Sequence, residues 1–224
     1  MTVGHSFRLL AFDFDGTLMD SQKDIVACMQ AAFVSFGLEA PEEEAVRQQV
    51  GLNLPDIMAN LRPDLTPQDH LDLSEGYRDV YLERRLSEQL DEVLFEGISG
   101  TLSALQADEV FMAICTGKKL RGLVPALEHN HIKHFFHSLH TPDNAPGKPN
   151  PTMLQQAMDF SATPAEETVM IGDTSYDMEM ARNAGVTAIG VRWGYHSEQQ
   201  LLAAGAAIVV EEPNEIKEAL SKLR

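Results

Sequence analysis

Phe7-Arg8-Leu9-Leu10-Ala11-Phe12-Asp13-Phe14-Asp15-Gly16-Thr17-Leu18 is a short, nearly continuous apolar run that ends in acids and a glycine. Arg8 and Asp13 interrupt the run and Gly16 stops it, so it reads as a buried strand that ends in a turn. Residues two apart on an extended chain point to the same side. Asp13 and Asp15 therefore face one site while Phe14 turns away into packing. Two like charges held that close are costly without a cation.

Downstream the pattern changes twice. From Ser21 to about Glu92 the periodicity is helical, with no convincing strand. Ser21 followed by Asp24 predicts a capping box that opens a helix over Asp24 to Phe36, closed by Gly37. Further helices are predicted over Glu42 to Val50, Pro55 to Leu61 and Pro67 to about Leu90, the last with Thr66 as its cap. After Phe95-Glu96-Gly97 helices alternate with apolar segments at Val110 to Cys115, Phe135 to Leu139, Thr168 to Ile171, Val186 to Val191 and Ala207 to Val210. Such alternation predicts a parallel sheet covered on both faces. The fold class is α/β: a Rossmann-like, doubly wound parallel sheet core of residues 1–19 and 93–224, interrupted after its first strand by an inserted all-helical cap of residues 20–92.

In open parallel sheets ligands bind beyond the carboxyl ends of the strands. There Gly172-Asp173-Thr174-Ser175-Tyr176-Asp177 adds a third carboxylate at a strand end and a fourth on the first turn of the next helix. An oxygen-rich cluster suits a hard divalent ion, and Mg2+ is the usual one beside a substrate phosphate. Cys115-Thr116-Gly117-Lys118 sets a hydroxyl and free backbone N–H groups at a helix start, an anion site by geometry. Gly147-Lys148-Pro149-Asn150-Pro151 presents a lysine in a loop stiffened by two prolines. Carboxylates, a divalent ion, a hydroxyl and a lysine at one sheet edge are the parts of a phosphoryl-transfer site.

Charge narrows the partners. With 34 acidic against 17 basic residues, the net charge of −17 repels an extended polyanion, so nucleic acid is excluded as the main partner. A small phosphate can enter only where a cation and a lysine reverse the potential locally. The hydrophobic fraction of 44% and charged fraction of 23% are those of an ordinary folded protein. No window approaches the roughly 18 apolar residues of a membrane span, and Met1 to Leu10 lacks the pattern of a secretory leader. Cys28 and Cys115 lie far apart in apolar contexts, as buried reduced thiols of a cytoplasmic protein do. The chain is compatible with a monomer or a homodimer.

In these motifs the chain resembles the haloacid dehalogenase superfamily, in its phosphatase branch with a helical cap inserted after the first motif. Four motifs carry the resemblance in order: Asp13-Phe14-Asp15-Gly16-Thr17-Leu18, Thr116 after an apolar strand, Lys148-Pro149, and Gly172-Asp173-Thr174 with Asp177. The resemblance implies that Asp13 is the nucleophile, taking the phosphoryl group as an aspartyl-phosphate. It implies that Asp15 protonates the leaving oxygen and then deprotonates the attacking water, a task that needs its pKa held above that of Asp13. Asp13, the backbone carbonyl of Asp15, and Asp173 would bind Mg2+, with Asp177 ligating or holding a metal-bound water. Thr116, with Gly117, would hold the phosphoryl group, and Lys148 would neutralise charge on it and on Asp13. The cap segment Val50-Gly51-Leu52-Asn53-Leu54 is similar to the loop that phosphoglycolate phosphatases point into the site, which implies substrate contacts from Leu52 and Asn53. The function implied is Mg2+-dependent hydrolysis of a small, phosphoglycolate-like phosphorylated metabolite. Nucleotidase, pyrophosphatase and sugar-phosphate phosphatase or mutase activities share the motifs. A phosphoacceptor signalling module shares the acids, hydroxyl and lysine but not the paired Asp13 and Asp15 or the helical insert.

Other clusters read as structure. His129, His131, His134, His137 and His140 run from a helix end through a loop into a strand, so their side chains should diverge rather than share a metal. Glu42-Glu43-Glu44 and Arg84-Arg85 read as solvated helix surface, and His196 as loop. Lys118, Lys119 and Arg121 read as a positive rim beside Thr116.

Overall fold

The computed structural model describes residues 7–223; the parts of the leader reading and of the core boundary that fall on Met1 to Ser6 lie outside the described residues. The opening run forms β1 (Leu9–Phe12), buried along its whole length. The next six residues turn back through an antiparallel pair, β2 (Met19–Asp20) with β3 (Val93–Leu94), which closes the base of the insert. Two-residue strands carry no periodicity, and the sequence showed no sign of this pair.

Between β2 and β3 lie α1 (Gln22–Ser35), α2 (Glu43–Arg47), α3 (Leu54–Leu61) and α4 (Pro67–Leu86). They bury their own core, in which Met29, Phe33, Met58 and Leu73 are almost fully enclosed. The expected Thr66 cap is present as a capping box with Asp69. The expected Ser21 and Asp24 box is not: Ser21 makes no side-chain cap bond. Asp24 instead accepts the Asp91 backbone N–H at 3.1 Å, tying the two chain crossings of the insert together. A carboxylate facing a neighbouring segment finds an orphan donor there and has no need of its own helix end. α2 and α4 stop short of Val50 and Leu90, each at a turn.

The rest alternates as predicted: α5 (Ile98–Gln106), β4 (Phe111–Cys115), α6 (Leu120–His129), β5 (Ser138–His140), α7 (Thr152–Ser161), β6 (Thr168–Gly172), α8 (Ser175–Ala184), β7 (Thr187–Val191), α9 (Glu198–Ala204), β8 (Ile208–Val210) and α10 (Ile216–Lys222). The parallel sheet has the order β5-β4-β1-β6-β7-β8. Alternate residues of β1 feed two cores. Leu10 and Phe12 meet α5, α6 and α10 on one face, through Leu102, Leu123 and Leu220. Leu9 and Ala11 meet α7, α8 and α9 on the other, through Leu154, Met178 and Leu201. Truncating a fully buried ring such as Phe12 to Ala costs about 3–5 kcal/mol.

After β1 the sheet grows toward β4 and β5, and after β6 toward β7 and β8. The adjacent ends of β1 and β6 are therefore the point where the winding reverses and a crevice opens. Among the described residues, no helix is long and apolar enough to cross a membrane.

Candidate active site

Asp13 leaves β1 at this crevice, its backbone N–H still donating to Ile171 of β6 at 2.9 Å. Asp173 follows β6 directly, and Asp177 sits on the first turn of α8. The turn is set by a capping box in which the Asp177 carboxylate accepts the Thr174 N–H at 3.1 Å and its hydroxyl at 2.7 Å. One oxygen from each of Asp13, Asp173 and Asp177 lies within 4.8 Å of the others, and all three residues are buried. Beneath them Lys148, with no exposed side-chain surface, brings Nζ to 2.7 Å from Asp13 Oδ1 and 2.6 Å from Asp177 Oδ1. Asp173 accepts the Thr17 hydroxyl at 2.7 Å and the Tyr195 N–H at 2.9 Å.

Three carboxylates around one ammonium leave an excess of buried negative charge. Burial lifts Asp13 to about 7, Lys148 opposing it and Asp177 adding to it. Burial, then Asp13 and Asp177, lift Asp173 well above the usual carboxylate range. Burial alone would lower Lys148, but Asp13 and Asp177 hold it above its ordinary value, so it stays an ammonium. Asp13 Oδ2 is buried without a hydrogen-bond partner. An unpartnered oxygen in an all-oxygen set with surplus negative charge fits a hard divalent cation, and Mg2+ in particular. The backbone closes tightly round Asp173. A Cβ on Gly16, whose φ is +89°, would stand 2.3 Å from Asp173 Oδ2, and one on Gly194 would stand 2.2 Å from Asp173 Cβ.

A cavity of about 220 Å³ opens above, between the sheet edge and the insert. Asp13, Asp15, Thr116, Gly117, Lys118 and Leu52 line it together with apolar residues of α1, α3 and α4. Thr116 is fixed as it leaves β4, its N–H donating to His140 at 3.1 Å. Gly117 lies under the insert so closely that a Cβ would stand 2.5 Å from the Leu52 carbonyl oxygen. The Asp15 carboxylate accepts Lys118 Nζ on both oxygens, each at 3.2 Å.

Asn53 is not among the lining residues. It caps α3, accepting the Asp56 N–H at 3.1 Å. Arg85 is not solvated either: it pairs with the buried Glu92, which also accepts the Tyr81 hydroxyl at 3.1 Å. His196 is buried, accepting the Ser175 N–H at 2.9 Å and facing the Gln48 carbonyl of the insert at 3.4 Å. These contacts, like those of Thr17 and Tyr195 with Asp173, join segments distant in the chain and leave no local pattern. His137 accepts the Met112 N–H at 3.2 Å while His140 meets the Ser138 hydroxyl at 2.9 Å, so these two turn to separate partners. Cys28 and Cys115 are free and buried, their thiols pushed up by burial to about 11 and about 12.

Residues 10–191 match the family model described as haloacid dehalogenase-like hydrolase. The chain belongs to this family. A phosphoglycolate phosphatase of Vibrio parahaemolyticus is 30% identical over 223 residues, spanning 96% of this haloacid dehalogenase-like hydrolase and 96% of the relative. A phosphoglycolate phosphatase of Pseudomonas fluorescens is 29% identical over 208 residues, spanning 92% of this chain and 76% of its own. A Dickeya dadantii protein named "Probable phosphatase IndB" is 30% identical over 210 residues, with 93% and 91% covered. In fold, this hydrolase superposes on a hydrolase from Pseudomonas syringae with a TM-score of 0.85 at 24% identity, covering 96% of this chain and 98% of that one. A haloacid dehalogenase-like hydrolase from Streptococcus pneumoniae gives 0.83 at 24% identity, again over 96% and 98%. The enzyme class expected from the four motifs, a phosphatase, stands, and the signalling-module alternative falls.

Proposed function

We propose that this phosphatase is an Mg2+-dependent phosphomonoesterase of small, phosphoglycolate-like metabolites that works through an aspartyl-phosphate on Asp13. The observation that carries the reading is Asp13 itself, which lines the cavity with Thr116 and Asp15 and holds a buried carboxylate oxygen without a hydrogen-bond partner. Asp13 attacks phosphorus, the bond to the leaving oxygen breaks, and Asp15 supplies the proton that this oxygen takes. Water then attacks the acyl phosphate, Asp15 removes its proton, and phosphate departs with the Asp13 carboxylate restored. Thr116 Oγ1 and the Gly117 N–H hold the phosphoryl oxygens, and Lys148 offsets charge on them and on Asp13. Asp13, Asp173 and the Asp15 carbonyl would hold Mg2+, with Asp177 as a further ligand or a partner to its bound water; when bound, the ion supplies positive charge against the phosphoryl oxygens.

Residues 20–92 act in this reading as a cap domain that covers the site and reads the leaving group, with Leu52 against the substrate. The buried reduced thiols support a cytoplasmic setting. The experiment is phosphate release from phosphoglycolate and p-nitrophenyl phosphate with Mg2+, with EDTA, and in Asp13→Asn. Release that survives EDTA or the substitution would sink the metal or the nucleophile assignment respectively.

A further inference from the structure

Two lysines serve the site, and they stand in different surroundings. Lys148 is sealed beneath Asp13 and Asp177. Lys118 lines the cavity, and the only hydrogen-bond acceptor of its ammonium among the described residues is the Asp15 carboxylate, reached by two long contacts of 3.2 Å. Its ammonium lies 4.6 Å from the Tyr81 ring centre and 5.9 Å from that of Phe14. Aromatic faces attract a cation but accept no strong hydrogen bond, so the three donors of this ammonium are under-used. The backbone is held, the Lys118 N–H donating to Thr116 Oγ1 at 3.2 Å, and the stem passes Gly122, where an added Cβ would stand 3.5 Å from its Cε.

Of the other strong cations along the cavity only Lys119, the neighbour of Lys118, has no ion pair among the described residues; the arginines are committed. Arg78 and Arg121 both pair with Glu75, and Arg85 pairs with Glu92. The rest of the insert's wall is mostly apolar, with Ile25, Met29, Ile57 and Tyr77 lining the space and Asp79 of α4 the one acid the insert adds. A negatively charged substituent on the leaving alcohol, standing beside Asp15, meets Lys118 before any other buried cation.

We propose that Lys118 is the specificity-determining residue of this phosphatase: it leaves the Asp15 carboxylate to bind an anionic group, a carboxylate or its like, carried by the leaving alcohol. The proposal rests on the phosphomonoesterase reading. A charge-assisted hydrogen bond in a mostly apolar cavity discriminates strongly against a substrate that lacks the charge.

The test compares phosphoglycolate with 2-hydroxyethyl phosphate, which keeps a two-carbon alcohol and lacks the carboxylate, at saturating Mg2+. The wild-type enzyme should favour phosphoglycolate in kcat/KM by at least about ten-fold. Lys118→Met should collapse that ratio toward one, chiefly through a raised KM for phosphoglycolate, and Lys118→Arg should restore part of it. Equal losses on both substrates would make Lys118 a positioning residue for Asp15 and overturn the proposal. So would a wild-type enzyme that prefers the uncharged ester, a result that needs no variant to fold. If neither ester nor p-nitrophenyl phosphate is hydrolysed, the phosphomonoesterase reading itself has failed.

Discussion

Lys148 and Asp177 meet at 2.6 Å with neither side chain exposed, one from a loop before α7 and the other from the first turn of α8. A buried pair of this kind costs free energy to desolvate and is conspicuous mainly when it is broken. Lys148→Met leaves Asp13 and Asp177 without their cation and should destabilise the protein by about 3–5 kcal/mol in denaturant unfolding at neutral pH. Adding Asp177→Asn should recover part of that loss, because the second charge is removed as well; an additive double variant would show that the two residues do not act as a pair.

Removal of the metal should make stability depend on pH. Burial holds the folded-state pKa of Asp13 at about 7 against an ordinary 3.8. Between those values the folded protein keeps a proton that the unfolded chain has lost, so stability falls as pH rises through the window. His140 and His196, held low by burial, act in the opposite sense below their ordinary 6.5. The difference in Tm between Mg2+ and a chelator cancels the histidines. It should grow from about pH 5 to about pH 7.5 and shrink in Asp13→Asn. A difference that does not change with pH would contradict a cation offsetting the Asp13 charge.

Gly194 has no room for a methyl group, since a Cβ there would strike Asp173. Gly194→Ala should displace the Asp173 carboxylate and weaken Mg2+ activation at least about ten-fold, visible as a raised Mg2+ concentration for half-maximal activity. Gly205→Ala is the control for loss of a glycine away from the site: its φ of 119° is one that Gly194 does not share, and a Cβ there meets nothing within 4 Å. It should lose some stability and leave the Mg2+ requirement unchanged.

In the proposed metal set Asp15 would supply its backbone carbonyl and not its carboxylate. Asp15→Asn should therefore cut turnover of alkyl phosphates by about 10²-fold or more while Mg2+ still raises the Tm. Equal loss of the Mg2+ shift would place the carboxylate among the ligands.

Much of this was legible in the chain because strand ends advertise themselves. The apolar run into Asp13 and the run into Asp173 each stop at an acid followed by a turn or a helix cap, and β1 and β6 bring these acids together whatever the rest does. The roles of Lys118 and Asn53 were not legible in the same way. Lys118 reads as rim charge because its partner Asp15 lies across the sheet edge, and the resemblance that suggested a substrate contact for Asn53 says nothing of the α3 cap it forms. Ser21 and Asp24 had the local spacing of a capping box, yet Asp24 went to the Asp91 N–H, a donor supplied by the other crossing of the insert.

The sequence by itself determined the α/β class, the helical insert, and the four carboxylates with Thr116 and Lys148 at the strand ends. These follow from periodicity and from the rule that parallel strands deliver their carboxyl ends to one edge. Tertiary structure alone decided which acids share a cluster, which lysine is sealed and which faces the cavity, and how closely Gly16 and Gly194 fold round Asp173. Those outcomes depend on the close approach of segments far apart in the chain. Burial and electrostatic partnership are properties of that approach, and no local pattern of residues contains them.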